Sequence, residues 1–252
     1  MIESALYLEP IRLDPAQHRA KKVVELTDFS VAGRMHMAFI TAIEFPQAAL
    51  EFPIVFIPTG ERDARGRPGV SPVVLLGLVA GENLHVDGSR WDARYIPAFI
   101  RRYPFFSAEI AGETSPAVFV DAAWSGFSDG DGEALFEAGD KPAPALARVL
   151  QFLERFDLEA QRTLEFCARV VELDLLKEMK ADISLPGGGK LAVEGFLTID
   201  DDRLLAIPDA DVIELHRSGL LMLMQLHLLS LANVRLMAER KSKRLEREAA
   251  GA

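Results

Sequence analysis

Apolar positions along this chain follow two different periods. The first 125 residues hold short apolar and β-branched runs bounded by proline and glycine, which predicts strands. The candidates are Ala5–Ile11, Lys22–Leu26, Pro53–Pro58 (PIVFIP), Pro72–Val79 (PVVLLGLV), Leu84–Val86 and Ala117–Val120 (AVFV). The two densest runs are separated by TGERDARGRPG, a charged loop slightly longer than a hairpin turn, so they are expected to pair antiparallel. Pro68, Pro72, Pro97, Pro104 and Pro116 keep long helices out of this half. One short helix is predicted over Ile43–Phe52, entered through Pro46, whose missing N–H has no acceptor in a first turn.

From Pro144 the spacing changes to three and four. Leu146, Leu150, Leu153, Phe156, Ala160, Leu164, Cys167, Val171 and Leu175 line one helical face. Continued to Lys180, that helix would be ~55 Å long, so a break is expected near Asp157 or Leu173. Pro186–Gly189 (PGGG) should close the segment before a strand over Lys190–Ile199. Helices then come at Leu204–Ala206, Asp211–Arg217 and Gly219–Lys243, with Asp209 a candidate N-cap. The Gly, Asp and Ser-rich stretch Trp124–Gly139 reads as a loop between the halves. The pattern predicts an α+β fold: an antiparallel sheet from the N-terminal half, packed with helices from the C-terminal half. It is read as one domain over residues 1–252, with 1–125 mainly β and 140–245 mainly α.

Composition narrows the class. With 252 residues, 49% apolar and 26% charged, the chain can bury a core and is not intrinsically disordered. Its single cysteine, Cys167, excludes a disulfide framework and any CxxC site. A net charge of −10 opposes binding to nucleic-acid phosphate. The opening MIESALYLEPIRLD lacks the basic and apolar regions of a secretory signal. The uncharged run Ser218–Val234 is near the lower length for a membrane span and carries Gln225, His227, Ser230 and Asn233. It reads as a buried core helix, and the expected location is the cytoplasm.

No complete catalytic constellation stands out. The glycine runs have neither dinucleotide nor P-loop spacing, and GFSDGDGE only partly matches a calcium loop. There is no GxSxG, and Cys167 on an apolar face would be poorly ionised. Asp200–Asp202, after a strand, reads as a solvated turn. The strongest metal pattern is His85-Val-Asp87, since strand residues two apart share a face; a third ligand would have to be His216 or His227. Those two lie ~16 Å apart on a continuous helix, and His227 reads as a core histidine bonded to a carbonyl. A metal-dependent oxygenase using His85 and Asp87 is thus an alternative reading, and no metal or other cofactor is expected under the first. One stretch is distinctive: RWDARYIPAFIRRYPFF, Arg90–Phe106, with six aromatics and four arginines in seventeen residues. Interfaces and ligand clefts enrich both types through planar stacking and bidentate anion contacts; the competing reading is an aromatic core edge.

The order of several blocks resembles the SapC-like family of bacterial proteins. They are AIEFPQAALEFPIVFI (42–57), VVLLGLVAGENLHVD (73–87), WDARYIPAFIRRYPFF (91–106) and LLAIPDADVIELHRSGLLMLMQLHLLSLANVRLM (204–237), with shorter matches at 126–127 and 135–136. The resemblance implies a link to surface-layer production or export and attaches no reaction to it. It also implies an accessory role beside halogenase-like flavoproteins and outer-membrane receptors. An unrelated peptide-transporter permease shares the name and is an integral membrane protein. Relatives are expected to carry an apolar residue where His85 stands, which weakens the metal reading. The leading expectation is a non-catalytic accessory or binding protein with a protein partner, no nucleic acid and no membrane span. Its candidate surface is Trp91, Tyr95, Phe99, Arg101, Arg102 and Tyr103, with Glu44 at the rim. A small-molecule sensor with a pocket of Trp91, Tyr95 and Phe99 is a further alternative.

Overall fold

The computed structural model describes residues 6–184 and 189–251. The N-terminal half contains β1 (Pro10–Arg12), α1 (Pro15–His18), β2 (Lys22–Val23), β3 (Met37–Phe39), α2 (Phe45–Ala48), β4 (Ile54–Arg62), β5 (Pro68–Leu75), β6 (Val86–Asp87), β7 (Arg90–Trp91), α3 (Ala98–Arg101), β8 (Phe105–Ala108), β9 (Ala117–Asp121), β10 (Phe127–Ser128) and β11 (Glu133–Ala134). The rest consists of α4 (Pro144–Glu172), β12 (Leu176–Ser184), β13 (Lys190–Ile199), α5 (Asp201–Leu205), α6 (Asp209–Ser218), α7 (Leu220–Ser230) and α8 (Asn233–Gly251). This is the α+β organisation that the two periods predict.

The main sheet has five strands in the order β12-β13-β4-β5-β3, all antiparallel. Its centre is the expected hairpin: Ile54 faces Val74 and Val55 faces Val73. The strands run further than the apolar pattern suggests, leaving Asp63–Arg67 as the turn. Asp63 closes it by accepting from the Arg65 and Arg67 amides. Alternate residues of β4 and β5 face opposite ways, so one side of the sheet buries Ile54, Phe56 and Val74, and the other buries Val55, Val73 and Leu75. The first side packs on α4 and α7 through Phe166, Val170 and Met224; the second packs on α8 through Met237 and Ala238. A smaller sheet, β1-β9-β8, shares a separate core with the start of α4, including Phe105, Val120, Leu146 and Leu153.

Several expectations shift. The long helix breaks at Leu173, one of the two positions anticipated, because Asp174 adopts a positive φ of 51° that carries the chain out of the helix. Arg203 secures this corner by donating to the carbonyl and carboxylate of Asp174. Beyond the break the chain turns into strand β12 instead of resuming a helix, and Leu175, beside that strand, lies in the core. The turn expected at Pro186–Gly189 falls on residues 185–188 and lies outside the described residues, as does Ala5 of the first strand candidate. Asp209 is the first residue of α6 rather than its cap. Asp200 is the cap instead, accepting from the Asp202 and Arg203 amides to open α5. The helix expected over Gly219–Lys243 is α7 and α8, joined by a tightened turn with bonds from Leu231 to Leu228 and from Ala232 to Leu229. Nor is α7 a fully buried core helix: only Met224, His227 and Ser230 of its residues are buried. Leu220–Ala250 is long and apolar enough to cross a membrane by length and composition, yet it packs one face on this sheet.

Candidate functional site

The stretch Arg90–Phe106 is fastened to the body by three carboxylates that lie outside it in sequence. Glu44 sits at the end of a 3₁₀ turn (Ala42–Glu44) with 5% exposure. One of its oxygens accepts from the Thr41 amide at 2.9 Å and hydroxyl at 2.7 Å; the other accepts from the Tyr95 hydroxyl at 2.5 Å and the Ala98 amide at 2.7 Å. Glu51 accepts from the Arg94 and Tyr95 amides. Asp121, fully buried, accepts from the Tyr103 hydroxyl and from the Leu8, Glu9 and Ala123 amides. Burial next to these carboxylates raises the Tyr95 and Tyr103 hydroxyls well above the ordinary tyrosine value, so both remain donors.

Most of the candidate surface is therefore inside. Trp91, Phe99, Arg102, Tyr103 and Glu44 are buried. Trp91 donates its indole N–H to the Tyr95 carbonyl at 2.8 Å. The Arg102 guanidinium is held between the rings of Phe99 and Phe156, 4.3 and 4.9 Å from their centroids. Tyr95 is half-buried, and only Arg101 is exposed. Glu51, Asp121 and Thr163 had no sequence signal, because each acts through a chain partner forty or more residues away. Thr163 of α4 accepts from the Ala42 amide at 2.8 Å and so fixes the helix against the turn that carries Glu44.

That junction leaves a groove of about 490 Å³ between the turn and α4, lined among others by Ile43, Arg101, Phe152, Arg155 and Leu158. Arg101 donates Nε–H to the Ile96 carbonyl at 2.9 Å and lies over the Tyr95 and Phe152 rings. These contacts hold its guanidinium at the rim while leaving donor N–H groups toward solvent. Arg155 is exposed on the same groove. Ile43 and Leu158 stand 65% and 51% exposed. The groove thus pairs two cationic groups with apolar side chains over a floor that is bolted in place.

The histidines do not converge. His85 is 1% exposed, packed against Phe52 with centroids 4.7 Å apart and stacked on Trp91; neither ring nitrogen has a hydrogen-bond partner. Burial lowers it to about 3, so it is neutral. Asp87 points outward toward Arg247 at 3.6 Å, so the two do not share an environment. The turn between β6 and β7 begins at Asp87, which ends the alternation that the same-face reading requires. His216 is exposed, while His227 is buried and lowered to about 4 by burial. Its Nε2 accepts from the Ile199 amide at 3.0 Å rather than bonding a carbonyl, and it also meets the Thr198 hydroxyl at 2.9 Å. Among the described residues no group of three or more His, Cys, Asp or Glu side chains could hold a metal ion. Cys167 is buried, its thiol pushed up to about 12. A second, larger cleft of about 690 Å³ lies between α8 and the β6–β7 hairpin, but its charges are largely engaged: Arg240 with Asp92, Arg244 with the Asn83 and Val86 carbonyls.

Fold and site define a small α+β protein whose best-formed feature is an arginine-flanked apolar groove on a rigid floor. The SapC family profile matches residues 13–237, most of the chain, and the protein belongs to that family. No curated protein and no solved structure matches it.

Proposed function

We propose that this protein is a non-catalytic accessory protein of a bacterial cell-surface or export-related system, working in the cytoplasm without spanning a membrane, and that it binds a protein partner at the Arg101 groove. The observation that carries this reading is the juxtaposition of Arg101 and Arg155 with exposed Ile43 and Leu158. Arginine beside apolar and aromatic surface is the composition that protein interfaces enrich. The floor beneath it is preorganised by Glu44 and Thr163, so little ordering cost falls on binding. The partner suited to it is an acidic segment with an apolar anchor. The test is affinity capture from native lysate with the wild-type chain, Arg101→Ala and Leu158→Glu in parallel. A protein retained by wild type and lost by both variants supports the reading. Capture of nothing, or equal capture by all three, overturns it.

A further inference from the structure

Away from the groove, the C-terminal helices carry a second surface that does not depend on the groove reading. Helix α7, LLMLMQLHLLS, is apolar on every side, which is ordinarily a sign of a helix covered all round. Yet Met222 and Leu229 are 56% and 65% exposed, and Leu236 at the start of α8 is 48% exposed. These three recur every seven residues, the spacing that keeps side chains on one seam between two packed helices. No Asp, Glu, Lys or Arg occurs from Ser218 to Val234.

The flanks of this seam say what covers it. From Asp200 to Arg217 there are six carboxylates against two arginines; from Arg235 to Arg247 there are six cations against two glutamates. The two charged flanks lie at opposite ends of the seam. His227 in α7 bonds the Ile199 amide where β13 finishes, and Met237 and Ala238 in α8 pack with Val193 and Ile183 further back along the hairpin. Part of each flank is already used: Arg169 holds Asp211 and Glu214, and Lys241 meets Glu82. Among the described residues, however, Asp201, Asp202, Asp209 and Lys243 make no ion pair, and Arg235 is 88% exposed. An anionic bilayer would attract one flank and repel the other. A second copy of the same chain, turned end for end, satisfies both.

We propose that the α7–α8 seam is the interface of a two-fold symmetric, antiparallel dimer of this chain. Met222, Leu229 and Leu236 form its apolar centre, and the cationic flank of each copy lies against the acidic flank of the other. The contact is isologous, so every substitution enters the interface twice.

The experiment is sedimentation analysis of the full chain over a concentration series up to about 100 µM, the range in which even a weak dimer is populated. A dimer of twice 27.8 kDa is expected. Leu229→Glu should raise its dissociation constant by about 100-fold, from two lost apolar contacts and two buried like charges. Lys243→Glu and Asp209→Lys should each weaken the dimer, and the double variant Lys243→Glu/Asp209→Lys should recover most of the loss, which only an end-for-end pairing of identical chains predicts. Unchanged circular dichroism and melting of Leu229→Glu establish that the fold is intact; should it unfold, the uncharged pair Met222→Gln/Leu229→Gln replaces it. A full chain that is monomeric throughout overturns the proposal, and so does a dimer indifferent to these variants. So does a monomer that co-floats with phosphatidylserine-containing vesicles through Leu229, since the bilayer would then be the occupant.

Discussion

The Arg90–Phe106 stretch and the Gly219–Leu236 stretch exchange the places their compositions suggest. The first carries four arginines in seventeen residues and lies largely inside; the second carries no charged residue before Arg235 and leaves much of its surface out. What separates them is partners. Glu44, Glu51 and Asp121 meet the backbone amides and tyrosine hydroxyls of the first stretch, and aromatic rings close over Arg102, so its polar groups are buried without being orphaned. The second has only one face for the sheet to cover: β4 and β13 take Met224 and His227, and nothing in the chain reaches Met222 or Leu229.

That contrast can be broken or sharpened by measurement. The largest effect expected is on acid stability. His85 and His227 are held neutral in the folded state, far below the ordinary histidine value, so the unfolded chain takes up protons first as pH falls. Stability is complete above about pH 6.5 and falls below it by about 1.4 kcal/mol per pH unit for each histidine, until pH reaches the folded values near 3 and 4. From pH 7 to 4.5 the pair should remove about 5 kcal/mol, and His85→Phe should roughly halve the slope; urea midpoints across pH measure both. A profile flat between pH 7 and 5 would mean that the histidines are not buried as placed.

Next in size is the interior of the arginine–aromatic stretch. Phe99→Ala, which empties a core site and strips one ring from Arg102, should cost about 4 kcal/mol. Glu44→Gln replaces an oxygen pair that receives four hydrogen bonds with a group that itself donates, and should cost about 2 kcal/mol by chemical denaturation. A loss below about 0.5 kcal/mol for either would place the stretch at the surface after all.

The smallest effects belong to the exposed positions. Arg101→Ala should leave stability within about 0.5 kcal/mol while abolishing capture of the groove's partner, since its side chain is exposed. Leu229→Gln should be equally neutral for the monomer when measured at low concentration, and any large loss there would show that α7 is more deeply covered than its exposure indicates.

The fold class, the β4–β5 hairpin, the span of β13 and the break at Leu173 were all legible from period and punctuation. These features depend on neighbours in sequence: alternating β-branched residues, a glycine in the turn, and a helical stripe too long for its domain. The identity of β12 was not, because Val171 and Leu175 continue the helical spacing and the reversal rests on the backbone of a single residue, Asp174. The site was legible only in part. Arg101 and Glu44 were visible as residue types, but which of seven candidates would face solvent was not.

By itself, then, the chain's order of residues determined where strands and helices form, that a core large enough for one domain exists, and that its two halves pack as sheet and helices. Only the tertiary structure decided which polar groups could be buried and which apolar ones could not. Hydrogen-bond acceptors for Tyr95, Tyr103 and the Ala98 amide come from positions 18 to 54 residues away. The sheet, once five strands are paired, has only two faces to cover. Burial is set by that long-range supply of partners and area, which a local pattern does not contain.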